Sequence, residues 1–250
     1  MGESDGGDAR YGGRAENPTI WFASEQQAQM IIHDDDLPPW LLIEGSEGSG
    51  KTTAGAMWLA IQALADVGTN AESGITAPTG DRLGHVRKAI RETWPAHWYR
   101  YNKNDDLYVW HAGPRFQCVT AAERSAEGGS KIQGFTWIRA LSDELQDHFD
   151  TDSNIAMRLR DPRAKGREKR LCPSTIKDYP EWRTFRAACR ESKPVEGETA
   201  PQWGVLRLLG LDSPFIWDRK WLALRASGTM TERDWQRRVL ALDVGPEKQV

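Results

Sequence analysis

Apolar and polar positions along the chain alternate between short hydrophobic runs and segments of helical spacing. Trp40 to Ile43 is an apolar run of the kind expected of a buried central strand. After a glycine-rich loop, Ala54, Trp58, Ile61 and Ala65 share one face of a helix over Thr52 to Val67, with Gly68 suited to the position just past its end. A second unit opens with a short strand at Gly74 to Thr79, broken by Pro78, and continues into a helix over Arg82 to Thr93. Tyr108 to Trp110 and Arg115 to Thr120 flank the turn residues His111 to Pro114 and predict a hairpin. Trp137 to Ser142 is an apolar strand ending at two acids, Leu171-Cys172 begins another that ends in Pro173-Ser174-Thr175, and Glu181 to Arg190 reads as a helix. Strands alternating with helices predict an α/β fold with a mainly parallel central sheet flanked by helices.

Outside this core the texture changes. Residues 1–16 hold five glycines, six charged residues and no Val, Ile or Leu, so they read as a flexible tail that cannot bury enough surface to offset its ordering entropy. Ser24 can cap a short helix whose apolar positions include Ala28 and Ile31 or Ile32. Glu191 to Gln202 is a polar, proline-containing linker, followed by a strand at Val205 to Leu209 and helices around Asp218 to Ala226 and Glu232 to Leu240, the latter capped by Thr231. The divisions are therefore 1–16, a core at 17–195 and a smaller C-terminal subdomain at 196–250.

Composition narrows the class. With 39% hydrophobic and 28% charged residues the chain is an ordinary globular protein. It has no apolar run of transmembrane length and no signal-peptide pattern at its start, which predicts a cytosolic protein with no membrane partner. Three widely spaced cysteines, Cys118, Cys172 and Cys189, suggest neither a disulfide framework nor a metal site. A net charge of −3 excludes a surface that is basic throughout, though not a local basic patch.

Gly45-Ser46-Glu47-Gly48-Ser49-Gly50-Lys51-Thr52 satisfies the phosphate-loop pattern G-x-x-x-x-G-K-[ST] in full, between a strand and a helix as that motif requires. Its glycines let successive amides turn inward on a phosphate chain, and the helix that follows adds the partial positive charge of its N-terminus. Lys51 is expected to reach the β and γ phosphates of ATP, the Thr52 hydroxyl to ligate Mg²⁺, and Thr53 to complete the nucleotide-binding loop. Leu141-Ser142-Asp143-Glu144 closes a hydrophobic strand. Asp143 is the candidate for Mg²⁺ and Glu144 for deprotonating the attacking water, although Asp143 could instead cap a short helix through Phe149. Arg158 to Arg170 carries seven basic residues against Asp161 and Glu168, a local net of +5; the run is either a solvated face or a contact to the backbone phosphates of a polyanion. Trp58 and Trp137 fall on faces assigned to the core, while a tryptophan or Phe22 near the N-terminal glutamines could stack on adenine. The five histidines show no metal spacing.

Taken in order, these motifs resemble the large terminase subunit of tailed bacteriophages. The resemblance rests on Trp40 to Trp58, Thr76-Ala-Pro-Thr79, His111 to Phe116, Gly134 ahead of Asp143-Glu144, and Cys172-Pro-Ser-Thr175 followed by Glu181-Trp182, over residues 25–190. It implies a P-loop NTPase fold of the additional-strand, RecA-like class, and ATP hydrolysis that drives double-stranded DNA into a procapsid. It also implies a homo-oligomeric ring, a pentamer, working with a portal protein and a small terminase subunit in the cytoplasm of an infected bacterium. By the same resemblance Ser174 and Thr175 form a coupling motif that senses the γ-phosphate, Gln27 or Gln29 contacts adenine, and 196–250 forms a lid or linker. Two positions depart from the pattern: Glu47 and Gln133 stand where many relatives carry arginine. An arginine finger therefore has no matched position, and Arg124 and Arg139 are candidates by sequence proximity, with Lys131 a poorer one for want of a planar fork. Because the sequence ends at Val250, no nuclease activity is expected of this chain. A helicase-like DNA-dependent ATPase and a non-hydrolysing assembly module are the alternatives.

Overall fold

The computed structural model describes residues 25–33, 36–121, 132, 134–164, 168–177, 179–194, 201–208, 225–228, 230–232 and 235–236. The tail at 1–16, Phe22 and the Ser24 cap, Arg124, Lys131, Gln133, and most of the C-terminal helices lie outside the described residues.

Its elements run α1 (Glu25–Ile32), β1 (Trp40–Gly45), α2 (Lys51–Ala63), β2 (Glu72–Ala77), α3 (Gly80–Thr93), β3 (Tyr99–Asn102), β4 (Leu107–Trp110), β5 (Arg115–Thr120), β6 (Arg139–Ser142), α4 (Asp152–Arg158), β7 (Lys169–Thr175), α5 (Pro180–Arg190) and β8 (Trp203–Leu208). Eight strands form one sheet in the order β3-β4-β5-β2-β6-β7-β1-β8. From β5 to β8 every neighbouring pair is parallel, and β3 and β4 complete one edge antiparallel. This is the α/β, mainly parallel architecture expected, with β7 inserted between β1, which leads into the glycine loop, and β6, which leads into the two acids.

Period-2 alternation along the strands divides the interior into two layers. Leu41 and Ile43 face a layer with Trp58, Leu59, Val86 and Ile90 from α2 and α3. Leu42 faces the other, with Ala140, Cys172 and Trp182. Each such large side chain contributes about 1.5–3 kcal/mol on leaving water. Gly74 on β2 is fixed by this packing, because a Cβ there would meet the Trp137 ring at 2.4 Å. Trp94 anchors the antiparallel edge: its ring meets those of Tyr99, Tyr108, Trp110 and Phe116, and its indole N–H donates to the Ala56 carbonyl at 2.8 Å.

The sequence pattern missed β3 and α4. Strand β3 is mostly exposed at the sheet edge and shows no hydrophobic run. The basic segment 158–170 is not one face. Arg158 ends α4, Arg163 pairs with Asp161, and Arg170 on β7 is fully buried, 2.7 Å from Asp152. The Arg170 guanidinium lies within 6 Å of the Trp40 and Trp203 ring centres, so burial and aromatic contact have turned part of an apparently solvated run into core. Among the described residues no helix is long and apolar enough to cross a membrane.

Candidate nucleotide site

Parallel strands deliver their C-terminal ends to one edge of the sheet, and the candidate chemistry collects there. The loop after β1 turns through Gly48 at φ 74° and Gly50 at φ 78°, left-handed conformations that suit glycine, before Lys51 opens α2. The buried Lys51 ammonium donates to the carbonyls of Gly45 at 3.1 Å and Ser46 at 2.8 Å. Burial holds its pKa below the usual lysine value, against the opposing pull of Glu144, Asp143 and Glu47. Ser49 closes the loop by donating to Ser46 O at 2.9 Å.

Across the sheet the Thr52 hydroxyl donates to the Asp143 carboxylate at 3.0 Å. Thr52 in the first turn of α2 and Asp143 just past β6 are two hard oxygen donors, a set that would suit Mg²⁺. Burial, and next the charge of Glu144, push the Asp143 carboxyl up to about 7, while Thr52 and Lys51 pull against them. Glu144 lies in the left-handed region at φ 52°, at a turn that aims it at the end of β7. There its carboxylate accepts from the Thr175 hydroxyl at 3.1 Å, the Thr175 amide at 3.3 Å and the Gln146 side-chain amide. Burial alone would raise its pKa; Lys51 and the hydrogen bonds from Gln146 and Thr175 outweigh burial and leave it below the usual value.

A cavity of about 610 Å³ opens over this edge, lined by Glu47 to Thr53 together with Arg82, His85, Lys88, Glu92, Glu144, Thr175 and Lys177. Ser174 is buried and pairs in register with Glu44 of β1, and Thr175 with Gly45. Gln27 is buried and donates to the Ser49 carbonyl at 2.7 Å, tying α1 to the glycine loop, whereas Gln29 is exposed. Arg139 is not brought to the site: it begins β6 at the opposite end from Asp143, is 6% exposed and pairs with Asp66. Because β6 is extended and the acids follow its last residue, the strand itself separates the two. Arg124 lies outside the described residues.

Three further residues support the site without having been legible as such. Glu44, immediately before Gly45, is 1% exposed and accepts from Arg186 at 2.6 Å and Arg190 at 2.7 Å, so α5 grips the strand that leads into the loop. His148 is buried with Nδ1 3.1 Å from the Glu144 carbonyl and Nε2 3.5 Å from the Thr76 hydroxyl. Arg82 stands in the first turn of α3, whose N-terminus Thr79 caps by accepting from the Arg82 amide at 3.3 Å. A threonine directly after a strand and before a helical run was the available signal for Arg82, since it sets the helix start at the same edge of the sheet.

No protein-family model and no curated protein matches the sequence. Solved structures do. The large terminase of a thermophilic bacteriophage superposes with a TM-score of 0.68 at 15% identity, covering 90% of this chain and 54% of the other. The Thermus phage P74-26 large terminase ATPase domain superposes at 0.60 and 19% identity, covering 86% of this chain and 92% of that domain. This chain has the large-terminase ATPase fold. It spans about half the length of the full terminase and nearly all of the isolated ATPase domain. The same thermophilic-phage terminase has been solved in complex with ADP, superposing at 0.66 and 15% identity over 89% of this chain and 54% of that one.

Proposed function

We propose that this chain is the ATPase motor of a viral DNA-packaging machine, hydrolysing ATP to drive double-stranded DNA into a procapsid. The observation that carries the reading is the meeting of Lys51, the Thr52–Asp143 pair and the Glu144–Thr175 pair at one edge of a sheet with the terminase fold. ATP binds with its phosphates on the amides of Gly45 to Thr52, and Lys51 swings from the Gly45 and Ser46 carbonyls to the β and γ phosphates. Thr52 and Asp143 would hold Mg²⁺, which would supply positive charge to offset that of the phosphates. Glu144 is ionised at neutral pH and takes the proton of the attacking water. That role requires its carboxylate to leave Thr175 and Gln146 for the cavity. Loss of the Glu144–Thr175 contact then reports the state of the nucleotide to β7, which is hydrogen-bonded to both β1 and β6. Gln27 serves the nucleotide through the loop it holds. The packing of the motor as a homo-oligomeric ring, a pentamer, on a portal protein with a small terminase subunit is part of the same proposal.

The test is DNA-stimulated ATP hydrolysis at high protein concentration and in the assembled ring, with Glu144→Gln as control. Hydrolysis that rises with double-stranded DNA and vanishes in the variant supports the motor. Absence of hydrolysis in every condition sinks it.

A further inference from the structure

The cavity over the phosphate loop has an imbalance of charge. Glu47, Glu92 and Glu144 line it and Asp143 lies beside it, yet an ATP molecule brings several more negative charges. Of its cations, Lys51 is folded onto backbone carbonyls, Lys177 pairs with Asp147 at 2.9 Å and Lys88 faces Glu92 at 3.7 Å. The Arg82 side chain is exposed and has no hydrogen bond or ion pair among the described residues. It is held at the cavity wall by the capped first turn of α3, directly after β2. Its charge acts on Lys51, Asp143 and Glu144 alike, the three groups around the phosphate end of the site.

We propose that Arg82 is the arginine this nucleotide site lacks in its phosphate loop, and that its guanidinium grips the terminal phosphate of bound ATP from the α3 side. A planar fork of donors matches two phosphate oxygens at once, which a lysine cannot do. The phosphate loop itself carries an acid, Glu47, and no arginine, and Arg82 approaches the same cavity from a separate element. The γ-phosphate thus lies between Lys51, rooted on β1 and α2, and Arg82, rooted on β2 and α3. The side chain discriminates ATP from ADP, and hydrolysis releases α3 from the product.

The inference rests on the nucleotide reading above, and the experiment separates the two. Affinities of fluorescent ADP and ATPγS are measured with Mg²⁺ for the wild type, Arg82→Ala and Arg82→Lys, alongside ATP hydrolysis. Arg82→Ala is expected to keep its ADP affinity within about twofold and to lose about tenfold or more in ATPγS affinity, the scale of a charge-assisted hydrogen bond. Hydrolysis should fall with it, and Arg82→Lys should recover only part. Because Arg82 is exposed, thermal melting should be unchanged. Equal ATPγS affinity and turnover in Arg82→Ala and wild type would overturn the inference while leaving the nucleotide reading intact. So would parallel losses of ADP and ATPγS, or a loss confined to DNA stimulation, which would assign the guanidinium to a polyanion instead. Failure of the wild type to bind either nucleotide would overturn the nucleotide reading itself.

Discussion

Thr175 donates both its hydroxyl and its amide to Glu144, at 3.1 and 3.3 Å, so the last residue of β7 restrains the residue proposed to activate water. The restraint and the chemistry compete for one carboxylate. Glu144→Gln is expected to keep nucleotide affinity and lower kcat by about 10²–10⁴-fold, the usual contribution of a general base. Thr175→Val removes the hydroxyl donor, retains the amide, and should uncouple DNA stimulation from basal turnover. Steady-state ATPase assays with and without DNA read both.

The Thr52–Asp143 pair makes a separate claim. Asp143→Ala should abolish the Mg²⁺-dependent part of ATP affinity and leave the metal-free affinity for ADP nearly unchanged, as measured by calorimetric titration with Mg²⁺ and with EDTA. Equal affinities for the wild type in both buffers would remove Asp143 from metal binding.

His148 predicts a pH effect on stability. Burial first, then the charge of Arg170, lowers its pKa to about 3 despite the Glu144 carbonyl that accepts from Nδ1–H. The folded ring therefore stays neutral, while the unfolded chain takes a proton below about pH 6.5. A depressed histidine pKa means that stability is lost as pH falls through that range, with a slope of up to about 1.4 kcal/mol per pH unit from this group. Urea unfolding between pH 7 and 4.5 should be less steeply pH-dependent in His148→Gln than in the wild type.

Arg139 is expected to be structural. Its guanidinium is buried against Asp66, at the end of the strand away from the cavity. Arg139→Ala leaves that carboxylate unpaired and should cost about 3 kcal/mol of stability. Chemical denaturation measures the loss, and nucleotide affinity of the remaining folded protein should match the wild type.

The glycine loop and the acids after β6 were legible because both depend on local spacing: a fixed motif in one case, and a hydrophobic run closed by Asp143-Glu144 in the other. Ser174 and Thr175 were placed at the site only through resemblance, and the sheet explains their presence by setting β7 directly beside β1. Glu44 and His148 were invisible because their roles depend on contacts between elements far apart in sequence, whereas Arg82 had only the local signal of Thr79 ahead of a helix. Glu44 in particular reads as an ordinary acid before a turn until α5 brings Arg186 to it. Arg139 misled for the converse reason: four residues from Asp143 is near along the chain and far along an extended strand. The basic run at 158–170 failed as a single feature because strand β7 begins inside it and turns Arg170 inward.

Strand β8 pairs with β1 along its whole length, with Leu208 opposite Gly45, and the Leu208 carbonyl accepts from the Ser46 amide at 3.2 Å. The C-terminal end of β8 thus sits at the rim of the phosphate loop. A displacement of β8 along its ladder with β1 would therefore reach the backbone of the glycine loop through the Ser46–Leu208 hydrogen bond. The position of this edge strand and the shape of the loop are thereby tied together by one set of backbone hydrogen bonds.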